Sequence, residues 1–183
     1  MSDFVVLCES WNSAQRENAR KVFLDTISKQ DFSSPELYVF AFNVGDGNFI
    51  LLKERKTAIL VDAGSSSVHL CKRYIRNYFK KCLGNASIEA VIITHPDNDH
   101  INFLGMPWIK SHFSEDVVAF VGCSTDVIDR VLSRCSFKSV FYREPTENPD
   151  EQWHNYQTGK CISYEDIHRR LNKLIENCEF AFL

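Results

Sequence analysis

The sequence lacks a surplus of basic residues and has no long apolar run. Its 183 residues include 21 Lys and Arg against 24 Asp and Glu, a formal net charge of −3. Charge alone therefore does not indicate a nucleic-acid-binding protein. No apolar stretch approaches the roughly 20 residues of a membrane span, and the N-terminus has no basic region of the kind that begins a signal peptide. We expect a cytoplasmic protein that makes no use of a membrane.

The cysteines also lack a recognisable pattern. There are seven, an odd number, and no two of them have the CxxC spacing of a zinc ribbon. A disulfide framework is therefore not expected, and the cysteines are interpreted as buried thiols of an intracellular protein. The length and a hydrophobic content of 44% predict one ordinary globular domain.

The spacing of apolar residues predicts an α/β protein with a helical extension at its N-terminus. The extension is assigned to residues 1–35, with a helix over 13–28, and the main domain to residues 36–183. The domain is predicted to contain strands at 37–42, 49–52, 57–61, 88–94, 117–121 and 139–142, helices at 68–82, 126–135 and 163–177, a loop at 144–159, and the start of a strand at 179–183. Early hairpins followed by alternating helices and strands indicate a layered fold around a mixed sheet.

The most informative motif is HPDNDH, which begins at His95 and follows a predicted buried strand. Imidazoles and carboxylates are ligands for Zn²⁺, and also for Mn²⁺ or Fe. His95 and Asp97 alternate along the chain and can face the same side, whereas Asp99 and His100 can serve a second ion. Asp62 ends another predicted strand and can orient a ligand from behind. The motif predicts a site for one or two metal ions.

These motifs resemble those of the metallo-β-lactamase superfamily. HPDNDH is similar to its HxHxDH signature, residues 43–52 resemble its opening hairpin, and Asp62-Ala63-Gly64 resembles its first motif. Asp in place of the second His, preceded by Pro, is similar to the branch that contains the hydrolase domain of DNA-uptake competence proteins. The resemblance implies an αββα sandwich, of which this chain is expected to cover the N-terminal half to two-thirds.

The resemblance also implies an activity and residue roles. His95 and Asp97 would bind the first metal ion, and Asp99 and His100 the second. Asp99 would also act as a catalytic residue by orienting the nucleophilic water. The implied function is that of a zinc-dependent hydrolase, specifically a phosphodiesterase or nuclease, whose substrate is nucleic acid or another phosphodiester.

Besides its expected end about where the second half of the fold begins, the chain departs from the family in two respects. Asn102-Phe103 stands where the competence branch has Gly-Gly, and the later His, bridging Asp and final His of the family are not identifiable. Of the four further histidines, His69, His112 and His154 are predicted to face solvent, and His168 is predicted to be structural.

The incomplete ligand set leaves alternatives open. One is a non-catalytic or degenerate interaction domain within a larger protein or complex, and another is hydrolysis of a small ester or thioester. Half of a sandwich would also leave one face of its sheet bare, which predicts a partner subunit or a missing C-terminal half that covers it.

Overall fold

The part of the chain that the computed structural model describes is built around one mixed sheet. The described residues are 36–42, 44–66, 68–95, 97–122, 125–143 and 153–176, together with four isolated positions, Ala14, Asn18, Lys21 and Asp25. Those four are helical and exposed. The remainder of the predicted N-terminal helix and the predicted strand at 179–183 lie outside the described residues.

The sheet contains eight described strands, and their order in space is their order along the chain. They are β1 (Leu37–Ala41), β2 (Phe49–Glu54), β3 (Thr57–Ala63), β4 (Ser87–Ile93), β5 (Phe113–Val121), β6 (Ser139–Tyr142), β7 (Trp153–Asn155) and β8 (Cys161–Ile162). Strands β3 to β6 are parallel, and the pairs outside them are antiparallel. The carboxyl ends of four strands therefore meet at one edge of the sheet.

Five helices accompany these strands in the described part of the chain. They are α1 (Val68–Leu83), α2 (Asn98–Ile101), α3 (Pro107–Lys110), α4 (Thr125–Leu132) and α5 (Tyr164–Leu174). The helix α1 connects β3 to β4 and α4 connects β5 to β6, as parallel neighbours require. The predicted fold class is confirmed as mixed α/β with a large central sheet, the architecture expected of a metallo-β-lactamase-like fold.

Both faces of the sheet carry a hydrophobic core. On the first face, α1 to α4 pack against apolar residues that include Leu60, Val91 and Val121. On the second face, α5 packs against Ile59 and Phe120 among others. Because α5 buries these residues, the expectation of a bare sheet face is wrong for the strands that this helix covers.

The last third of the domain differs most from the sequence prediction. Residues 144–159 were predicted as a loop, but β7 lies within that range. Strand β7 forms because it pairs with β6 and because Trp153 is buried. Neither contact can be predicted from a sequence that is polar locally. Strand β5 begins four residues earlier than predicted because its first residues, Phe113–Asp116, are half-exposed or exposed and therefore lack an apolar signature. The single-turn helices α2 and α3 were not predicted.

No helix among the described residues is long and apolar enough to cross a membrane.

Candidate metal centre

A buried carboxylate, Asp62, joins the carboxyl ends of β3 and β4. Its side chain has no exposed surface. One carboxylate oxygen accepts a hydrogen bond from the backbone N–H of Thr94 at 2.8 Å, and the other accepts one from the Thr94 hydroxyl at 2.5 Å. Since β3 and β4 are parallel neighbours, these bonds fix the point at which the chain leaves β4 and enters the HPDNDH motif.

The backbone at Asp62 is irregular, and the irregularity positions this side chain. Phe49 pairs with Ala63 whereas Ile50 pairs with Val61, so Asp62 is left without a partner on β2. Its φ of 52° lies in the left-handed region, which Asp tolerates better than most residues. Such a bulge redirects a side chain that regular alternation would place differently.

The buried carboxylate also holds His100. The distance between His100 Nδ1 and Asp62 Oδ2 is 3.0 Å, and the His100 side chain is 17% exposed. A carboxylate partner places the imidazole proton on Nδ1, which leaves the lone pair of Nε2 available to a metal ion. The contact that the predicted orienting role of Asp62 requires is therefore present, and the role itself stays a prediction.

His95 and Asp97 lie on the solvent side of the same cluster. Their side chains approach to 3.2 Å (Nδ1 to Oδ2) and are 55% and 65% exposed. The ring centroids of His95 and His100 are 5.3 Å apart. Asp97 occupies the N-cap of α2 but its side chain makes no capping hydrogen bond, although Asp is one of the residues that most often cap helices in this way. Its carboxylate faces His95 instead.

Asp99 is the predicted ligand whose side chain has the fewest contacts that would indicate a role in metal binding. It lies in the first turn of α2 and is half-buried. Among the described residues, no three His, Cys, Asp or Glu side chains converge on a common point as a metal-binding group would. The donor types and the orientation of His100 fit a zinc-type ion, but those residues do not form a complete coordination shell.

Two glycines allow α2 to lie against the end of β3. A Cβ atom on Gly64 would lie 2.0 Å from the carbonyl oxygen of Asp99, and one on Gly47 would lie 2.5 Å from the same oxygen. Gly47 also has a φ of 118°, which favours glycine. The Asp-Ala-Gly motif therefore supplies both the carboxylate that holds His100 and the space that admits its helix.

Sequence reasoning missed the contribution of Asn102. Its side-chain amide donates to the backbone carbonyl of Ser65 at 2.6 Å, and its side-chain oxygen accepts from the backbone N–H of Ser65 at 3.1 Å. The Ser65 hydroxyl in turn donates to the carbonyl of Val44 at 2.6 Å. Asn102 thus links the end of α2 to the loop after β3, and a Gly at this position would have no side chain to do so.

Two of the histidines predicted to face solvent are half-buried, so those predictions are wrong. The His112 ring packs edge-on against Phe79, with centroids 6.0 Å apart, and burial, assisted by the charge of Lys80, lowers the pKa of its imidazole. His154 lies on β7, with its ring centroid 5.5 Å from that of Tyr142. Neither contact can be predicted from the polar residues around each histidine, because Phe79 lies on α1 and Tyr142 on β6.

His168 lies on α5, where its ring stacks on Tyr164 at 6.1 Å and its Nδ1 is 3.3 Å from the side-chain amide of Asn172. Its described contacts are within its own helix, as expected of a structural residue. The side chain of His69 lies outside the described residues.

Comparison with known proteins supports the architecture and a general activity. Residues 42–121 match the sequence model of the metallo-beta-lactamase superfamily, a stretch that contains Asp62 and the whole HPDNDH motif. No curated protein matches the chain. At a coarse level, the match indicates a metal-dependent hydrolase, and members of this superfamily usually bind divalent metal ions, typically zinc.

Proposed function

We propose that this domain is a metal-dependent hydrolase that cleaves phosphodiesters and acts as a nuclease. The observation that carries the proposal is the contact between the buried Asp62 carboxylate and the imidazole of His100. A carboxylate that orients an imidazole from behind is a recurrent support of metal-binding histidines. The resemblance of HPDNDH to the competence-protein branch favours phosphodiesters over other esters.

The residues have distinct roles in this proposal. A bound divalent ion supplies Lewis acidity and activates water. His100 presents Nε2 because Asp62 holds its Nδ1 proton, and His95 and Asp97 provide an imidazole and a carboxylate beside it. Asp99 would orient the nucleophilic water. The exposure of His95 and Asp97 leaves the site open to a long substrate such as a nucleic-acid strand.

The candidate ligands in the described part of the chain are few for such a site. We therefore also propose that a second subunit or further chain supplies the remaining ligands. Size-exclusion chromatography with light scattering would reveal a self-associated form.

The experiment measures hydrolysis of bis(p-nitrophenyl) phosphate and linear DNA by the purified chain, with added Zn²⁺ or Mn²⁺ and with a chelator. We expect metal-dependent cleavage that His100→Ala abolishes and that Asp62→Asn lowers by about 10- to 100-fold, the usual effect of removing a ligand's support. The matched control is His168→Ala, which removes an imidazole far along the chain and should leave the rate unchanged. Metal-independent cleavage, or full activity in His100→Ala, would exclude the proposal.

A non-catalytic interaction domain is the second candidate. It is favoured by the observation that, in the described part of the chain, no three potential ligands converge. Elemental analysis of the purified protein distinguishes the two. Metal content well below one ion per chain after incubation with Zn²⁺, together with no hydrolysis, would support the second candidate.

A further inference from the structure

A cysteine and a histidine face each other at the far end of the sheet from β1. Cys161 on β8 and His154 on β7 are direct register partners, so their side chains project from the same face of the pair. The distance from Cys161 Sγ to His154 Nδ1 is 3.6 Å, within hydrogen-bonding range for sulfur. Cys161 is exposed, whereas His154 is half-buried.

The two strands hold this pair in place. The backbone N–H of Asn155 donates to the carbonyl of Lys160 at 2.9 Å, and that of Gly159 donates to the carbonyl of Asn155 at 2.8 Å. The Asn155 side chain is buried and accepts from the backbone N–H of Thr158 at 2.9 Å. The turn between β7 and β8 is therefore tied internally, which keeps the thiol opposite the imidazole.

Two other described cysteines have a contrasting environment. Cys82 and Cys135 are buried, and desolvation raises the pKa of each thiol to about 12. A buried thiol that resists ionisation is a poor nucleophile, because the thiolate is the reactive form. Cys161 has both solvent access and an adjacent base.

We propose that Cys161, with His154 as its proton acceptor, is a thiol-modification site that exchanges with low-molecular-weight disulfides. The Cys161 thiol gives its proton to Nδ1 of His154, and the resulting thiolate attacks one sulfur of the disulfide. The disulfide S–S bond breaks as the bond to Cys161 forms. The departing thiolate takes the proton from the imidazolium and leaves as a free thiol, so that Cys161 is oxidised and one half of the disulfide is reduced.

The site lies on the same row of the sheet as the end of β4. Successive register partners across this row are Ile93, Val121, Tyr142, His154 and Cys161. At about 4.8 Å per strand, β7 lies roughly 15 Å from β4. The thiol is therefore separate from the candidate metal centre, and its modification can be measured whether or not the domain is a hydrolase.

The experiment incubates the full chain with glutathione disulfide, quenches with acid, and follows each cysteine by peptide mass spectrometry. Cys161 should form the mixed disulfide at least about 10-fold faster than Cys82 and Cys135, since only accessible thiolates react. His154→Gln, which retains side-chain bulk but is not a base, should slow the reaction at Cys161 by about 3- to 10-fold. His168→Gln serves as the matched control and should leave the rate unchanged.

A denatured sample controls for the case in which His154→Gln is less stable than wild type and therefore exposes its cysteines by unfolding. In concentrated urea, wild type and His154→Gln should react at Cys161 at equal rates, because the pair exists only in the folded chain. Equal rates in the folded proteins, or a wild-type rate no greater than that of Cys161 in urea, would overturn the proposal.

Discussion

Asp62 combines full burial with three hydrogen bonds, two to Thr94 at the end of β4 and one to His100 in α2. Its carboxylate oxygens are the acceptors for Thr94 and the partner of His100 Nδ1. In a buried site, an acceptor that is lost leaves its donors without partners, and each unpaired donor costs more than an ordinary hydrogen bond contributes. Asp62 is therefore important to stability as well as to the orientation of His100.

The first prediction concerns Asp62→Asn. The NH2 group of the new Asn side chain would lie opposite at least one of the groups of Thr94 and His100 that donate to Asp62, so that two donors meet. We therefore expect the free energy of unfolding in urea to fall by about 1–3 kcal/mol. The control is Asp116→Asn, because the Asp116 side chain is 78% exposed and lies 3.5 Å from Lys138. Its effect should be below about 0.5 kcal/mol, and equal small losses in both variants would contradict the prediction.

His112 predicts how stability depends on pH. Burial lowers the pKa of this imidazole in the folded chain below its ordinary value of 6.5, so near and below that pH the unfolded chain binds the proton more readily. The contribution of His112 to stability is then complete above pH 6.5 and declines as the pH falls towards the folded pKa.

Unfolding measured above and below pH 6.5 tests this second prediction. Wild type should lose more stability on acidification than His112→Gln, which has no group that titrates there. Identical pH dependence in wild type and His112→Gln would show that His112 is not responsible.

At the scale of elements, the short helix α2 depends on its neighbours more than on its own sequence. Four residues cannot form a stable helix alone. Its position is set by the space above Gly47 and Gly64, by the backbone bond from Phe103 to Ala63 at 2.9 Å, and by the side chain of Asn102. This explains why the residue types drew attention to the HPDNDH motif although sequence periodicity did not predict the helix within it.

The third prediction concerns Gly64→Ala. The new methyl group would lie 2.0 Å from the Asp99 carbonyl oxygen, so α2 must move away from β3 and take His100 with it. Overpacking of this kind should lower the free energy of unfolding by about 2–3 kcal/mol. Gly122→Ala is the control, because the nearest atom to its methyl group would be an ordinary 3.5 Å away. Comparable losses in the two variants would show that the close approach is unimportant.

At the scale of the whole molecule, one sheet is shared by two cores. The second core depends on α5, whose residues Ile167 and Leu171 are fully buried against it. Since every central strand contributes side chains to both faces, loss of packing on one face should destabilise the entire sheet rather than only one helix.

The fourth prediction follows for Leu171→Ala. We expect a loss of about 2–5 kcal/mol, with the same shift whether urea unfolding is followed by circular dichroism or by tryptophan fluorescence. Trp108 belongs to the first core and Trp153 to the second, so fluorescence reports on both faces. Lys173→Ala on the exposed side of α5 should have little effect, and probe-dependent midpoints in Leu171→Ala would indicate that the two cores unfold separately.

The sequence by itself determined the strands that carry strong local apolar patterns, the helices that cross between them, and the residue types of the candidate site. Those features depend on short-range periodicity and on chemistry that neighbouring residues show together, as in HPDNDH. Only the tertiary structure decided which residues meet. The bulge that turns Asp62 towards His100, the approach of Asp99 to Gly64, the link from Asn102 to Ser65, and the pairing that makes residues 153–155 a strand all join distant parts of the chain. Such contacts depend on register and packing, which no local pattern encodes.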